Sequence, residues 1–499
     1  MTTAYPTFEA AAFVSAEQGF ASLIGRLRGA AAMVLDHGQV EELIRTDGLE
    51  VLRRLYQGHL DLRAITEPRV AVEGADSVVR THRRDTQRKL ESIFGTVIAH
   101  RQAWSARGHE SLHPLDGQLN LPVDSFTHGV ERRVCEEAIS VSFDRTSEVV
   151  TNTTGAMVAK RQCEQLVVKA AADFESFYAS TTPRPDRETD LLALTFDGKG
   201  IVMRFASLRP ATQKAALKAA RKLTKRLSKG EKPNRKRMAT VASVYALAAV
   251  PRTPAEVVGE ANSVPVAKRP RATNKRVWAS LSRSPEDVIE EAFVEAEGRD
   301  PEHRRRWVVP VDGNEDQIAY AKAAARRHKV DVTLVLDIVH VIEYLWKAAW
   351  SLHPEGDKAA QEWVSERLLK VLQGKASAVA GGMRRSATLR GLDDDQRKPI
   401  DKAAGYLTKY PEMVRYNRFL ADGLPIATGV IEGACRHLVK DRMDITGARW
   451  GLEGAEAVLR LRALHSSGDL DDYFQFHHDL ELDRNHLAHY ADGALKLAA

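Results

Sequence analysis

The feature that most constrains this chain is an order of elements in its middle third. Five short β-rich runs occupy residues 191–196, 201–208, 238–250, 307–311 and 330–336. Their β-branched content and bounding Asp-Gly and Pro signals predict strands. Helical periodicity fills 285–298 and 317–328, so it separates only the third, fourth and fifth runs. A helix between two strands implies a parallel pair with a right-handed crossover. Short connections without a helix imply antiparallel neighbours. From Val341 onward the chain reads as helical, broken at Gly374, Gly381-Gly382, Gly391, Gly423-Leu424-Pro425 and Gly447.

Three strands, a helix, a strand, a helix, a strand and then helices is the order of the ribonuclease H type. The expected architecture is an α/β catalytic core with a five-stranded mixed sheet, a mostly helical N-terminal region and an all-helical insertion. The expected boundaries are 1–129 for a helical N-terminal region with a β-hairpin near 92–105, and 130–186 for a helix-turn-helix-like region. The core takes 187–347 and 423–466, the helical insertion 348–422, and a C-terminal tail 467–499.

Composition narrows the class. The chain has 499 residues, 43% hydrophobic and 28% charged, ordinary for a folded soluble protein. Three cysteines, Cys135, Cys163 and Cys435, are too few and too scattered for a disulfide framework or a zinc ribbon, and a reducing cytoplasmic setting is expected. The most apolar long run, 332–350, contains Asp337, His340, Glu343 and Lys347, which argues against a lipid-facing helix, and no membrane association is expected. The net charge of +6 is modest, but it is unevenly spread. Twelve Lys or Arg and one acid lie between Arg209 and Arg237, including Lys225 and Arg226. Lys268, Arg269, Arg271, Lys275 and Arg276 follow. Such runs suit phosphate contacts through counterion release, or a plain solvated linker.

The sheet order brings acids together. First and fourth strands are neighbours, so Asp197 on the first and Asp312 at the end of the fourth approach one spot. Glu432, in Gly429-Val430-Ile431-Glu432-Gly433-Ala434-Cys435-Arg436, supplies a third carboxylate from a helix whose other stripe is apolar. Carboxylates are hard ligands suited to Mg²⁺ or Mn²⁺, and two such ions assist in-line displacement at phosphorus. Arg436 and Lys440 extend the Glu432 stripe at helical spacing and offer phosphate contacts. Asp337 ends the fifth strand, one strand further from Asp197, so Asp312 is preferred as the second acid. Asp337 and His340 are then expected to support the site from behind. The break at 153–155 between two helices, the second carrying Lys160 and Arg161, allows a DNA-reading helix-turn-helix or an ordinary helical hairpin.

Four segments carry a resemblance: LTFDGKG from Leu194, WVVPVDGNEDQI from Trp307, VTLVLDIVHVIEYLWKAAW from Val332 and GLPIATGVIEGACRHLVKDRMDITGARW from Gly423. PLDGQLNLP from Pro114 and the 142–172 stretch add to it. The chain resembles bacterial insertion-sequence transposases of the DDE class, of the ISKra type, over roughly residues 80–475. The resemblance implies an enzyme that binds the terminal inverted repeats of its element, cuts there and joins the 3′ hydroxyls to target DNA. It implies Asp197, Asp312 and Glu432 as catalytic metal ligands for two Mg²⁺ or Mn²⁺ ions, and Asp337 and His340 as a D-x-x-H pair. It also implies a role for Trp450 in base stacking or in the core, and a bacterial, nucleoid-associated chain that oligomerises on double-stranded DNA. Family members often carry a cysteine knuckle before the PLD segment; the corresponding 101–108 has none, so no zinc is expected there. A DNA-binding regulator without cleavage activity and a nuclease of the same fold remain as alternatives.

Overall fold

A computed structural model describes residues 5–187, 189–218, 234–259, 271–445 and 447–495. The chain divides into two units: residues 1–179 with 470–499, and residues 180–469.

The first unit opens with an antiparallel pair of helices, α1 (Tyr5–Arg28) and α2 (His37–Ile65). Asp36 caps α2: its carboxylate accepts from Gln39 N at 2.8 Å while Gln39 Oε1 accepts from Asp36 N at 3.1 Å, satisfying two otherwise orphan donors. A hairpin of β1 (His82–Ser92) and β2 (Gly95–Ser105) follows, in unbroken register from His82↔Ser105 to Ser92↔Gly95. The expected hairpin near 92–105 is therefore the second strand and the turn only. β1 escapes sequence reading because most of its side chains are exposed and polar, which erases the alternation that marks a half-buried strand. Leu60 of α2 packs with Leu90, Val97, Ala99 and Leu121.

Next come α3 (His128–Ala138), α4 (Phe143–Thr153) and α5 (Lys160–Ala170), which pack on one another, and α6 (Phe174–Ser180). The break at 153–155 lies where expected. Gly155 is required there, because a Cβ would meet the Phe94 carbonyl carbon at 2.4 Å. The segment 467–499, expected as a tail, begins with the end of a helix of the second unit and continues as a packed C-terminal helix, Leu470–Asn485. Tyr473, Phe474 and His477 are at most 1% exposed, and Tyr473 Oη donates to Ala170 O at 2.6 Å.

The second unit is built on a five-stranded mixed sheet. Its strands are β3 (Leu191–Val202), β4 (Lys236–Leu247), β5 (Thr273–Ser280), β6 (Trp307–Val311) and β7 (Val332–Leu336), in the spatial order β5-β4-β3-β6-β7. β3 pairs antiparallel with β4 and parallel with β6; β6 pairs parallel with β7. First and fourth strands are neighbours, as expected, but the strands themselves differ from the sequence reading. The run 197–200 is no turn: β3 continues straight through Asp197-Gly198-Lys199-Gly200 to Val202. Its partner is 236–247, so 201–208 is not a second strand, and 273–280 is the third. Asp-Gly and Lys-Gly read as a turn locally, but here the glycines pair with β4 in the sheet, Gly198 opposite Thr240 and Gly200 opposite Met238; a Cβ on Gly200 would sit 2.9 Å from Lys236 Cδ.

α7 (Pro285–Arg299) and α8 (Glu315–Arg327) fill the two crossovers, and α9 (Ile338–Ala349) follows β7. The insertion is all-helical: α10 (Lys358–Leu372), α11 (Ala376–Leu389), α12 (Asp394–Lys409) and α13 (Tyr416–Ala421). The chain then returns to the sheet with α14 (Gly429–Ala434), widens to a π-helix over Cys435–Lys440, and ends the unit with α15 (Leu452–Ser467), packed on β5.

Candidate functional site

The strand ends of the sheet position the first two acids. β3 and β6 pair in register at Leu192↔Trp307 and Ala193↔Val308. The ladder ends there; Asp197 lies further along β3, and Asp312 is the first residue after β6. Asp197 is half-buried in the strand; its Oδ1 accepts from Gly198 N at 2.6 Å and its Oδ2 from Cys435 Sγ at 3.0 Å. Burial first, and the Asp197 carboxylate next, push the Cys435 thiol far above its ordinary pKa, so it stays a proton donor to Asp197.

Asp312 follows β6. Its Oδ1 accepts from Asn314 N at 2.8 Å, which shapes the turn into α8. Gly313 adopts φ +92°, and a Cβ there would lie 2.8 Å from the Tyr406 ring. Tyr406 of α12 donates its hydroxyl to Asp312 O at 2.8 Å, and Tyr416 donates to Leu336 O at 2.7 Å. The insertion thus buttresses both strand ends. Local sequence gives no signal for Tyr406, because its partner is 94 residues away.

Glu432 lies on α14, which packs on β3 and β4. It is exposed and has no hydrogen-bond or ion-pair partner among the described residues. The loop before it is tied to the end of β7. Ile338 N donates to Ile426 O at 2.9 Å, and Thr428 Oγ1 donates to Asp337 Oδ2. Asp337 is wholly buried; its Oδ1 also caps α9 through Val339 N at 3.0 Å, and its Oδ2 lies 3.3 Å from His340 Nδ1. Burial would raise the Asp337 carboxyl, but His340 and Thr428 outweigh it and hold it below the usual range. The bond to Asp337 in turn raises the His340 imidazole, with a further contribution from the Asp312 carboxylate. Asp337 thus ties together the end of β7, the start of α9 and the loop that leads to Glu432. Thr428 and Cys435 were missed by sequence reading, although both flank Glu432 within four residues.

The carboxylate oxygens of Asp197, Asp312 and Glu432 do not all lie within 4.8 Å of one another. The expected ion-bound spacing is thus not formed, although the donor chemistry, oxygen from three carboxylates, suits Mg²⁺ or Mn²⁺.

Among the basic residues expected to meet DNA, Arg436 and Lys440 are exposed on the π-helix that follows Glu432. Arg462 of α15 satisfies this irregular turn by donating to the carbonyls of His437 and Leu438. Lys160 and Arg161 are exposed at the start of α5, with Lys160 Nζ 2.6 Å from Asp144 Oδ2. Lys225 and Arg226 lie outside the described residues. For two residues burial decides between the readings left open. Trp450 is 7% exposed, its Nε1 donates to Met443 O at 3.0 Å, and the Arg442 guanidinium covers its ring at 4.8 Å. No face is left to stack on a base, so Trp450 is a core residue rather than a DNA contact. Arg276, read as part of a basic run, is 6% exposed and pairs with Glu291 and Glu295, so it is not a phosphate contact. Searches against protein-family models, curated proteins and solved structures find no match for this chain.

Proposed function

We propose that this chain is a DNA transposase with a core of ribonuclease H type, binding the terminal inverted repeats of its element and performing metal-dependent strand cleavage and strand transfer. The observation that supports the reading is the parallel pairing of β3 with β6, with Asp197 in the one strand and Asp312 just after the other, beside a helix bearing the unpartnered Glu432. Asp197, Asp312 and Glu432 would hold the ions. Bound there, Mg²⁺ or Mn²⁺ supplies charge stabilisation for the attacking and leaving oxygens of a phosphodiester. The Cys435 thiol orients Asp197, and the Asn314 amide and Tyr406 hydroxyl fix the turn that aims Asp312. Arg436 and Lys440 grip phosphates beside the acids, as charge-assisted donors. Lys160 and Arg161, exposed at a helix start, would contact a DNA end.

The test is Glu432→Gln. A gel shift on terminal-repeat DNA should be unchanged, whereas Mg²⁺- or Mn²⁺-dependent end cleavage should fall by at least about 100-fold, because the variant loses a ligand charge while the basic surface remains. Undiminished cleavage by the variant overturns the role of Glu432. A wild-type chain that binds ends but never cuts is a regulator, and one that cuts without joining is a nuclease.

A further inference from the structure

The first unit contains a buried constellation with no part in the proposed chemistry. Glu131 and His477 are 0% exposed and Glu481 is 4% exposed; His128 and His478 are half-buried beside them. One ligand atom each of His128, Glu131 and His478 lie within 4.8 Å of one another, and so do those of Glu131, His477 and Glu481. Among the described residues these are the two such groups.

The atoms that face inward are also those left without hydrogen bonds: His128 Nδ1, both Glu131 oxygens, His477 Nε2, His478 Nε2 and Glu481 Oε2. Orphaned polar atoms in a protein interior are rare and ask for a partner. Lys169 answers part of the demand, with Nζ 2.9 Å from Glu131 Oε2 and 3.1 Å from Glu481 Oε2. It leaves Glu131 Oε1, which faces His477 Nε2 at 3.5 Å and His478 Nε2 at 3.9 Å.

The outer hydrogen bonds set the tautomers. His128 Nε2 is 3.0 Å from Asn120 O and must donate to it, which leaves Nδ1 as a lone pair pointing inward when the ring is neutral. His477 Nδ1 is 2.6 Å from Asp173 Oδ2, and Asp173 is clamped by Arg484 at 3.0 and 3.1 Å. This carboxylate–imidazole pair is the arrangement that orients histidines on metals, leaving Nε2 free to ligate.

We propose that His128, Glu131 and His478, with His477 as the nearest fourth ligand, form a binding site for one divalent transition ion, zinc by its ligand chemistry. Two neutral imidazoles and a carboxylate are borderline donors that suit Zn²⁺ and poorly suit Mg²⁺. The ion would replace the unsatisfied contacts around Glu131 Oε1, with Lys169 remaining on Oε2. It would also staple the C-terminal helix, through His478, to α3, through His128 and Glu131. Its role is structural, because its ligands come from two helices of one unit and differ in kind from the carboxylate-only set of the second unit.

The experiment uses the full-length chain, stripped with EDTA and dialysed against Zn²⁺. The expected result is one tightly held zinc per chain by elemental analysis and a melting temperature raised by about 4 °C or more. Co²⁺ in place of zinc should give the intense visible bands of a four-coordinate nitrogen–oxygen site. A His128→Ala, His478→Ala double variant should lose the metal and the bands, whereas Glu432→Gln should keep both. No zinc retained by the wild type, with no thermal shift, overturns the site and leaves Lys169 and protons as the partners of these groups. Full retention by a folded double variant, or loss of the metal in Glu432→Gln, overturns the ligand assignment. If the double variant does not fold, the wild-type stoichiometry and Co²⁺ spectrum decide.

Discussion

At the scale of residues, the second unit depends on a few buried polar contacts. Thr428 is the clearest, because its hydroxyl donates to the fully buried Asp337 carboxylate. Removing a donor from a buried charge costs more than forming the bond gains. Thr428→Val should therefore destabilise the unit by about 2 kcal/mol in urea unfolding and loosen the start of the Glu432 helix. A loss below the error of the measurement would show that solvent reaches Asp337. The cysteines give a second test at this scale. All three are buried, and burial pushes Cys163 up to about 11 and Cys135 and Cys435 higher still. Thiolate is the reactive form. Native chain should thus show no fast-reacting thiol with a disulfide reagent, and three after denaturation. One fast thiol in the native chain would show that a cysteine is exposed.

At the scale of elements, α7 is clamped to β5 by charge. Arg276 of β5 pairs with Glu291 and Glu295, and Arg299 with Glu295, all at 17% side-chain exposure or less. Burial works to raise the Glu295 carboxyl, and the two guanidinium groups overcome it and hold it below its ordinary value. A carboxyl lowered on folding contributes stability above its unfolded pKa of about 4.3 and loses it as pH falls through the folded value. Glu295→Gln should cost about 3 kcal/mol at neutral pH, as expected when one partner of a buried pair is removed. The gap between wild type and variant should close below about pH 4; a gap that persists there would assign the loss to packing instead. This element also shows how sequence misleads. The basic run 268–276 allowed phosphate contacts or a solvated linker, but Arg276 lies in β5 and is neutralised by two glutamates of α7, while Lys268 and Arg269 lie outside the described residues. Charge is visible in a sequence, whereas its partner is not.

At the scale of the whole molecule, the first unit is discontinuous in sequence and the second is not. Ending the chain after Asp469 removes the helix that buries Tyr473, Phe474 and His477 and leaves Glu131 without its imidazole. Calorimetry should show the transition of the first unit lowered by about 10 °C or lost, and that of the second unchanged, because the deleted residues belong to the first unit's core alone. Equal loss in both would mean that the units do not melt separately. What the sequence determined by itself is the periodic part of this architecture: five strands in a mixed sheet, helices in the crossovers, an all-helical insertion, and carboxylates in the first strand and just after the fourth. Those follow from local alternation, helix spacing and short connections, which act within a few residues. Tertiary structure alone decided which runs became the second and third strands, that Trp450 is sealed under Arg442, that Tyr406 holds the Asp312 turn, and that the supposed tail closes the first unit. Each of these depends on a partner tens to hundreds of residues away, chosen by packing and by the cost of leaving a buried polar group unpaired.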